Sequence, residues 1–239
     1  MTAPIWAVLP AAGRGTRFGG EVPKQYLHVA GEPLIAHALR ALLSHPRVVG
    51  AVVALAADDA HWAGWRTLLG KPVVRCTGGG ERADSVLAAL QALPGDVPDD
   101  TLVLVHDAAR PNLHAADLDR LIAKAESADG AILGAPVRDT LKRADDDGRI
   151  QATQSRDRLW RAFTPQAFRR GALTAALRQA RDAGVVVTDE AMAMERVGVH
   201  AHLVEGREDN FKVTTPADLR LMELLFESMK HHTGPGEST

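Results

Sequence analysis

The chain has 239 residues, 46% of them hydrophobic and 24% charged, with a formal net charge of −2. That length suits one large α/β domain or a domain with a small appendage, and the near-neutral balance argues against a nucleic-acid or membrane surface as partner. The single cysteine, Cys76, excludes an internal disulfide and a cysteine-built zinc site. No apolar run reaches membrane-spanning length, and the N-terminus lacks a basic segment leading into an apolar one, so the expectation is a cytoplasmic protein.

Ile5 to Pro10 is a short apolar run and predicts a buried strand. It runs straight into Ala11-Ala12-Gly13-Arg14-Gly15-Thr16-Arg17-Phe18, and Pro23-Lys24-Gln25-Tyr26 follows soon after. Small residues and glycines let backbone N–H groups approach an anion with no Cβ in the way. Arg17 and Lys24 add two cations beside that nest, which suits a nucleoside triphosphate. A Walker loop is excluded because no G-x-x-x-x-G-K-[ST] run exists, and a dinucleotide loop because Gly13-Arg14-Gly15 lacks its third glycine.

Further along, helices are predicted at Pro33–Leu43, Asp58–Leu69, Arg82–Leu93 and Ala115–Ala125. Strands are predicted at Val48–Leu55, Val73–Cys76, Thr101–Val105 and Ala131–Val137. The alternation implies a mostly parallel sheet with helices on both faces. Ligands of such sheets sit at the carboxyl ends of the strands, so the loops after Leu9, Cys76 and Val105 share one rim.

Two runs on that rim carry chemistry. In Gly78-Gly79-Gly80-Glu81-Arg82-Ala83-Asp84-Ser85 the glycines permit close approach of a base or ribose, and Ser85 sits in a first helical turn as a donor. The same run also fits a plain turn and helix cap. In Val105-His106-Asp107-Ala108-Ala109-Arg110-Pro111 the Asp107 carboxylate can take a ribose hydroxyl, a metal or a substrate hydroxyl. Ala108 and Ala109 leave room, Arg110 can hold an anion, and His106 reads as structural.

Asp139–Arg143 and Ile150–Gln154 flank an Asp-Gly turn with alternating residues, a hairpin signal. The segment is too polar for the main core and predicts a projecting arm over about residues 138–156. An isolated hairpin is marginally stable in water, so a second subunit is expected to cover it. Helices follow near Gln166–Ala183 and Asp189–Val197, and a last one starts at Thr215-Pro216-Ala217-Asp218 with Leu219, Met222, Leu225 and Phe226 as its buried stripe. One domain over residues 1–230 and a polar, disordered tail from His231 to Thr239 are expected. The ten histidines show no metal-ligand spacing, so no stable protein-held metal is expected.

Taken together the chain resembles the 2-C-methyl-D-erythritol 4-phosphate cytidylyltransferases. The runs that carry the resemblance are Pro10–Arg17, Pro23–Leu27, Gly79–Val86, Val105–Pro111, Ala135–Thr140, Thr164–Gln166, Thr188–Glu190 and Asn210–Thr214, in order across nearly the whole chain. The first run alone marks only the wider nucleotidyltransferase class. The resemblance implies an α/β, Rossmann-like (GT-A-like) nucleotidyltransferase domain with a projecting β-arm, working as a homodimer with exchanged arms. The implied reaction transfers CMP from CTP to 2-C-methyl-D-erythritol 4-phosphate, with Mg²⁺ held mainly by the CTP phosphates.

Residue by residue, the resemblance gives catalytic roles to Arg17, Lys24, Arg156 and Lys212, the first two at the α-phosphate and the others on the methylerythritol phosphate. Nucleotide binding falls to Ala11, Ala12, Gly13, Gly15, Arg17, Lys24, Gly79, Gly80, Ser85, Asp107 and Ala108. Substrate binding falls to Asp107, Arg110, Thr140, Arg156, Thr188 and Lys212, with Thr140 and Arg156 reaching into the partner's site. Gly80 departs from members that carry an acidic residue there. One alternative is a cytidylyltransferase for another polyol phosphate, such as ribitol 5-phosphate. Another is a non-catalytic nucleotide sensor, which the presence of Arg17, Lys24 and Lys212 disfavours.

Overall fold

The computed structural model describes residues 3–13 and 22–232. Its first strand, β1 (Ile5–Ala11), is apolar on both faces, as a strand covered by helices on either side must be. Alternate residues divide: Ile5, Ala7, Leu9 and Ala11 join one core, Trp6 and Val8 the other. A three-residue 3-10 turn, Lys24–Tyr26, then leads to the ribbon β2 (His28–Val29) and β3 (Glu32–Pro33). After it come α1 (Leu34–Leu43), β4 (Val48–Leu55), β5 (Thr67–Leu68), β6 (Lys71–Thr77), α2 (Arg82–Gln91) and β7 (Leu102–Val105). The second half holds α3 (Ala115–Glu126), β8 (Ala131–Pro136), β9 (Leu141–Ala144), β10 (Ile150–Gln154), β11 (Trp160–Arg169), α4 (Arg170–Asp182), α5 (Glu190–Glu195), β12 (His202–Glu205) and α6 (Pro216–His232).

The main sheet has eight strands in the order β12-β8-β11-β7-β1-β4-β6-β5. β7, β1, β4 and β6 run parallel, as do β8 and β12. β11 enters antiparallel between β7 and β8, and β5 lies antiparallel on the far edge. Helices α1 and α3 bury their apolar faces on one side, and α2, α4 and α5 on the other. The α/β fold with a mostly parallel sheet thus stands as expected. α6 packs Met222 fully, and Leu219, Leu225 and Phe226 partly, against Val29, Leu34 and Val213. It runs to His232, and the expected tail lies outside the described residues from 233 on.

Two expectations are corrected, and one strand is added. Asp58–Leu69 is not a helix but an irregular segment ending in β5. Asp59 Oδ1 accepts the backbone N–H groups of His61 at 2.9 Å and Trp62 at 3.1 Å, but Gly64 takes a left-handed φ of +73° and no helical ladder follows. The helix expected near Gln166–Ala183 begins only at Arg170, because residues through Arg169 form β11. Its Phe163, Thr164, Gln166, Ala167 and Phe168 are all buried between β7 and β8, so tertiary pairing overrides local propensity. β12 was not anticipated at all; it is a short edge strand with only Val204 buried.

β9 and β10 pair with each other as a separate two-stranded sheet, the expected hairpin. At its tip Asp145 Oδ1 accepts from Asp147 N at 3.1 Å and Arg149 N at 2.8 Å, and Gly148 takes φ +80°, which a Cβ disfavours.

Phe168 is among the largest fully buried side chains. Phe168→Ala should cost about 3–5 kcal/mol through lost transfer energy and the cavity left behind. Urea unfolding at constant pH measures it, with the midpoint falling and the slope unchanged.

Candidate active site

The carboxyl ends of β1, β6 and β7 do converge on one rim. Between them lies a cavity lined by Ala11, Ala12, Gly13, Lys24, Gly79, Gly80, Ser85, Asp107, Ala108 and Lys212, together with Arg82. Of the nucleotide-site residues expected from sequence, Gly15 and Arg17 lie outside the described residues. The remaining nine all line this one cavity.

The glycines at the lip have different jobs. A Cβ on Gly78 would lie 2.6 Å from Ala12 Cβ and 2.8 Å from Ser85 Oγ, so only glycine lets the β6 loop close on the β1 loop. On Gly79 it would meet Asp84 Cβ at 2.3 Å. On Gly80 it would meet nothing within 4 Å, so packing does not require glycine there. The buried Ser85 hydroxyl accepts the Gly79 N–H at 3.2 Å and donates to Glu81 O at 3.2 Å, bracing the loop.

A second cavity adjoins the first. It is lined by Arg110, Phe163, Thr164, Gln166, Thr188 and Asp189, and it shares Arg82, Asp107 and Lys212 with its neighbour. Thr140 and Arg156 line neither cavity in their own chain; Arg156 is exposed on the arm and donates from Nη1 to Arg138 O.

The shared wall is a charge cluster. Asp107, 7% exposed, receives Arg82 Nε at 3.1 Å on Oδ1, and Lys212 Nζ at 3.0 Å and Arg110 Nε at 3.3 Å on Oδ2. Burial alone raises the Asp107 carboxyl, but Arg82, Lys212 and Arg110 outweigh it and hold it well below the usual carboxylate range. Arg82 also grips the buried Glu190 through both terminal nitrogens, at 2.6 and 3.0 Å, the fork geometry that suits a carboxylate. Three cations therefore face two carboxylates, leaving one positive charge in surplus at the boundary of the cavities.

Beneath Asp107 a hydrogen-bond chain sets the strand end. Arg110 O can only accept, so His106 Nε2 carries the proton and donates to it at 2.9 Å. His106 Nδ1 then accepts from the Thr164 hydroxyl at 2.9 Å, and Thr164 Oγ1 in turn accepts the Asp107 N–H at 3.0 Å. Asn210 Nδ2 donates to Thr164 O at 2.9 Å, and Arg110 Nη1 to Asn210 O at 2.8 Å, tying the last loop to the same corner. Gln166 joins β11 to α5: its Nε2 donates to Asp189 Oδ2 at 2.9 Å and its Oε1 accepts Ala191 N at 2.9 Å.

Sequence reasoning assigned no role to Arg82, Glu190, Thr164 or Gln166. Arg82 carried a usable signal, since it opens a helix on the ligand rim. The other three stood only as members of the resemblance runs Thr164–Gln166 and Thr188–Glu190, with no contact to suggest a role until β11 and α5 were placed beside β7.

A glycine-lined cavity at the carboxyl ends of parallel strands, walled by converging cations, defines an α/β nucleotidyltransferase domain. The chain belongs to the 2-C-methyl-D-erythritol 4-phosphate cytidylyltransferase family, whose model matches residues 5–228. It is 64% identical over 225 residues to the enzyme of that name from Xanthomonas campestris pv. campestris strain 8004, covering 93% of this chain and 84% of that one. It is 63% identical to the one from Stenotrophomonas maltophilia strain K279a, covering 94% and 97%. Among solved structures it resembles a 4-diphosphocytidyl-2C-methyl-D-erythritol synthase, with a TM-score of 0.81, 35% identity, and coverage of 94% and 100%.

Complete burial pushes His106 down to about 4 from an ordinary value of 6.5. A histidine whose folded value is depressed stays neutral in the fold while the unfolded chain takes up a proton. Stability is thus full above pH 6.5 and falls as pH drops toward 4, by roughly 3 kcal/mol at about 1.4 kcal/mol per pH unit. His106→Gln, compared with wild type by urea unfolding between pH 7.5 and about 4, should remove that part of the slope.

Proposed function

We propose that the protein transfers CMP from CTP to 2-C-methyl-D-erythritol 4-phosphate, releasing pyrophosphate, in the cytoplasm and as a homodimer with exchanged arms. The observation that carries this reading is the shared wall of Arg82, Asp107 and Lys212. A nucleotide in the glycine-lined cavity and an anionic acceptor in the second would meet across it.

The substrate phosphate is already an anion at neutral pH, so the reaction needs no general base. A phosphate oxygen attacks the α-phosphorus, the bond to pyrophosphate breaks, and its electron pair leaves with the pyrophosphate. Negative charge grows on the α-phosphoryl oxygens and the leaving group, so catalysis reduces to positioning and preorganised positive charge. Lys24 faces that growing charge, and the family resemblance gives Arg17 the same role. Lys212 and Arg110 hold the acceptor phosphate, and Asp107 takes an acceptor hydroxyl on its remaining lone pairs. Among the described residues no group of three or more histidine, cysteine or carboxylate side chains is placed to cage a metal. Asp107 is already ringed by cations, so the donor set fits Mg²⁺ that arrives on the triphosphate. Bound there, Mg²⁺ supplies charge neutralisation to the leaving group.

The arm completes the proposal. β9 and β10 bury almost nothing in their own chain, and Arg156 stands outside both cavities. A two-fold related copy would bring Thr140 and Arg156 to the neighbouring site.

The experiment is pyrophosphate release from each nucleoside triphosphate with each polyol phosphate. Fastest turnover with CTP and methylerythritol phosphate supports the reading. Preference for ribitol 5-phosphate would reassign the acceptor, and no release with any pair would overturn it.

Residue roles give two further expectations. Lys24→Ala should lower kcat far more than it weakens CTP binding, while Lys212→Ala should raise KM for the polyol phosphate and leave CTP affinity nearly unchanged; steady-state kinetics and CTP titration separate the two. Arg156→Ala and Lys24→Ala homodimers should each be nearly inactive, yet subunit exchange between them should recover roughly a quarter of wild-type activity, since about half the dimers are mixed and each has one intact site. Verified exchange without recovery would confine each site to a single chain.

A further inference from the structure

Lys24 sits in a turn of only three residues, and a 3-10 turn this short has little internal bonding to hold it. Its backbone position depends in part on what pins its neighbours. On one side, the buried Gln25 donates from Nε2 to Ala11 O at 2.8 Å, tying the turn to the end of β1. On the other, the buried Tyr26 donates its hydroxyl to Asp59 Oδ2 at 2.8 Å.

Asp59 lies in the irregular segment after β4, outside every motif run named above. Its Oδ1 already closes that segment's turn by accepting His61 N and Trp62 N. One carboxylate therefore shapes the segment and reaches across to the lysine turn. The segment is itself held down. Trp62 and Trp65 meet edge to face with ring centroids 5.1 Å apart and pack on the core, and the His61 ring lies 5.3 Å from Tyr26. An ionised acceptor makes the phenol–carboxylate bond stronger than a neutral pair would be. Burial first, and then Asp59, raise the Tyr26 phenol above its ordinary value, so it stays a donor throughout the working pH range.

We propose that Tyr26 and Asp59 are positioning residues for Lys24, a clamp that fixes the lysine turn against the loop after β4. The inference rests on the reading of Lys24 as the cation at the α-phosphate. Neither Tyr26 nor Asp59 lines either cavity, so their influence on the reaction runs through the lysine turn.

The test is a kinetic cycle at saturating CTP and polyol phosphate. Tyr26→Phe keeps the ring and its packing and removes only the hydrogen bond. It should lower kcat about tenfold with both KM values within about twofold of wild type, because small misplacements of a charge-stabilising group act on the transition state. Asp59→Ala should do the same. Asp59→Asn keeps an oxygen for the two N–H groups and a polar partner for the phenol, and should bring kcat back to within about twofold of wild type. In a Lys24→Ala background, Tyr26→Phe should change the residual kcat by less than about twofold, because the residue it positions is gone.

An unchanged kcat in Tyr26→Phe would overturn the proposal. So would an equal fractional loss with and without Lys24, which marks general damage to the fold. Failure of Asp59→Asn to restore activity would overturn it too. A wild-type kcat in Lys24→Ala alone would instead sink the role of the lysine, and the clamp with it.

Discussion

Asp107 is the point on which the rest of the structure hangs. It stands at the end of the central strand β7 and is met there by Arg82 from the start of α2, Arg110 from its own loop and Lys212 from the segment before α6. Elements far apart in sequence are thereby fixed at one corner. A buried carboxylate without partners would cost several kcal/mol in desolvation, and Arg110, its side chain 10% exposed, is nearly as enclosed. Arg82 and Lys212 reach the same carboxylate from the solvent side. Through that one group the walls of the two cavities are joined.

The surplus of one positive charge follows from the same corner. Glu190 answers Arg82, and Asp107 is divided among three partners, so the cluster remains short of negative charge. An anion placed there would balance what the protein's own carboxylates leave over. The neutral His106 beneath adds no charge to this account. Its fixed tautomer holds Thr164, and through it the Asp107 backbone, without adding a further cation that would compete for the carboxylate.

Much of this was legible in the sequence. Glycines followed by cations after an apolar strand pointed to one rim, and every residue expected there within the described part of the chain lines one cavity. The β9–β10 hairpin was legible because an Asp-Gly turn stood between two alternating, largely polar runs. β11 was not, for physical reasons. Its run carries Pro165, which normally demotes a central strand, between the polar Thr164 and Gln166. Their polar groups are satisfied by His106, Asp189 and Asn210, all distant in sequence, so nothing local announces that they can be buried. The Asp58–Leu69 segment failed for a different reason: Asp59 offers the bonds of a helix cap, but Gly64 takes a left-handed φ of +73° five residues on and no helical run follows.

The arm has a cost of another kind. A sheet of two strands has two outer edges, each a row of backbone groups ready to accept another strand. A long apolar ribbon of that sort would add chain after chain. Here Lys142 and Arg143 stand on β9, and Asp145, Asp146, Asp147 and Arg149 crowd the turn, nearly all exposed. Charge of both signs so close to the edges makes open-ended stacking unfavourable, while a single companion that offers complementary groups is still admitted.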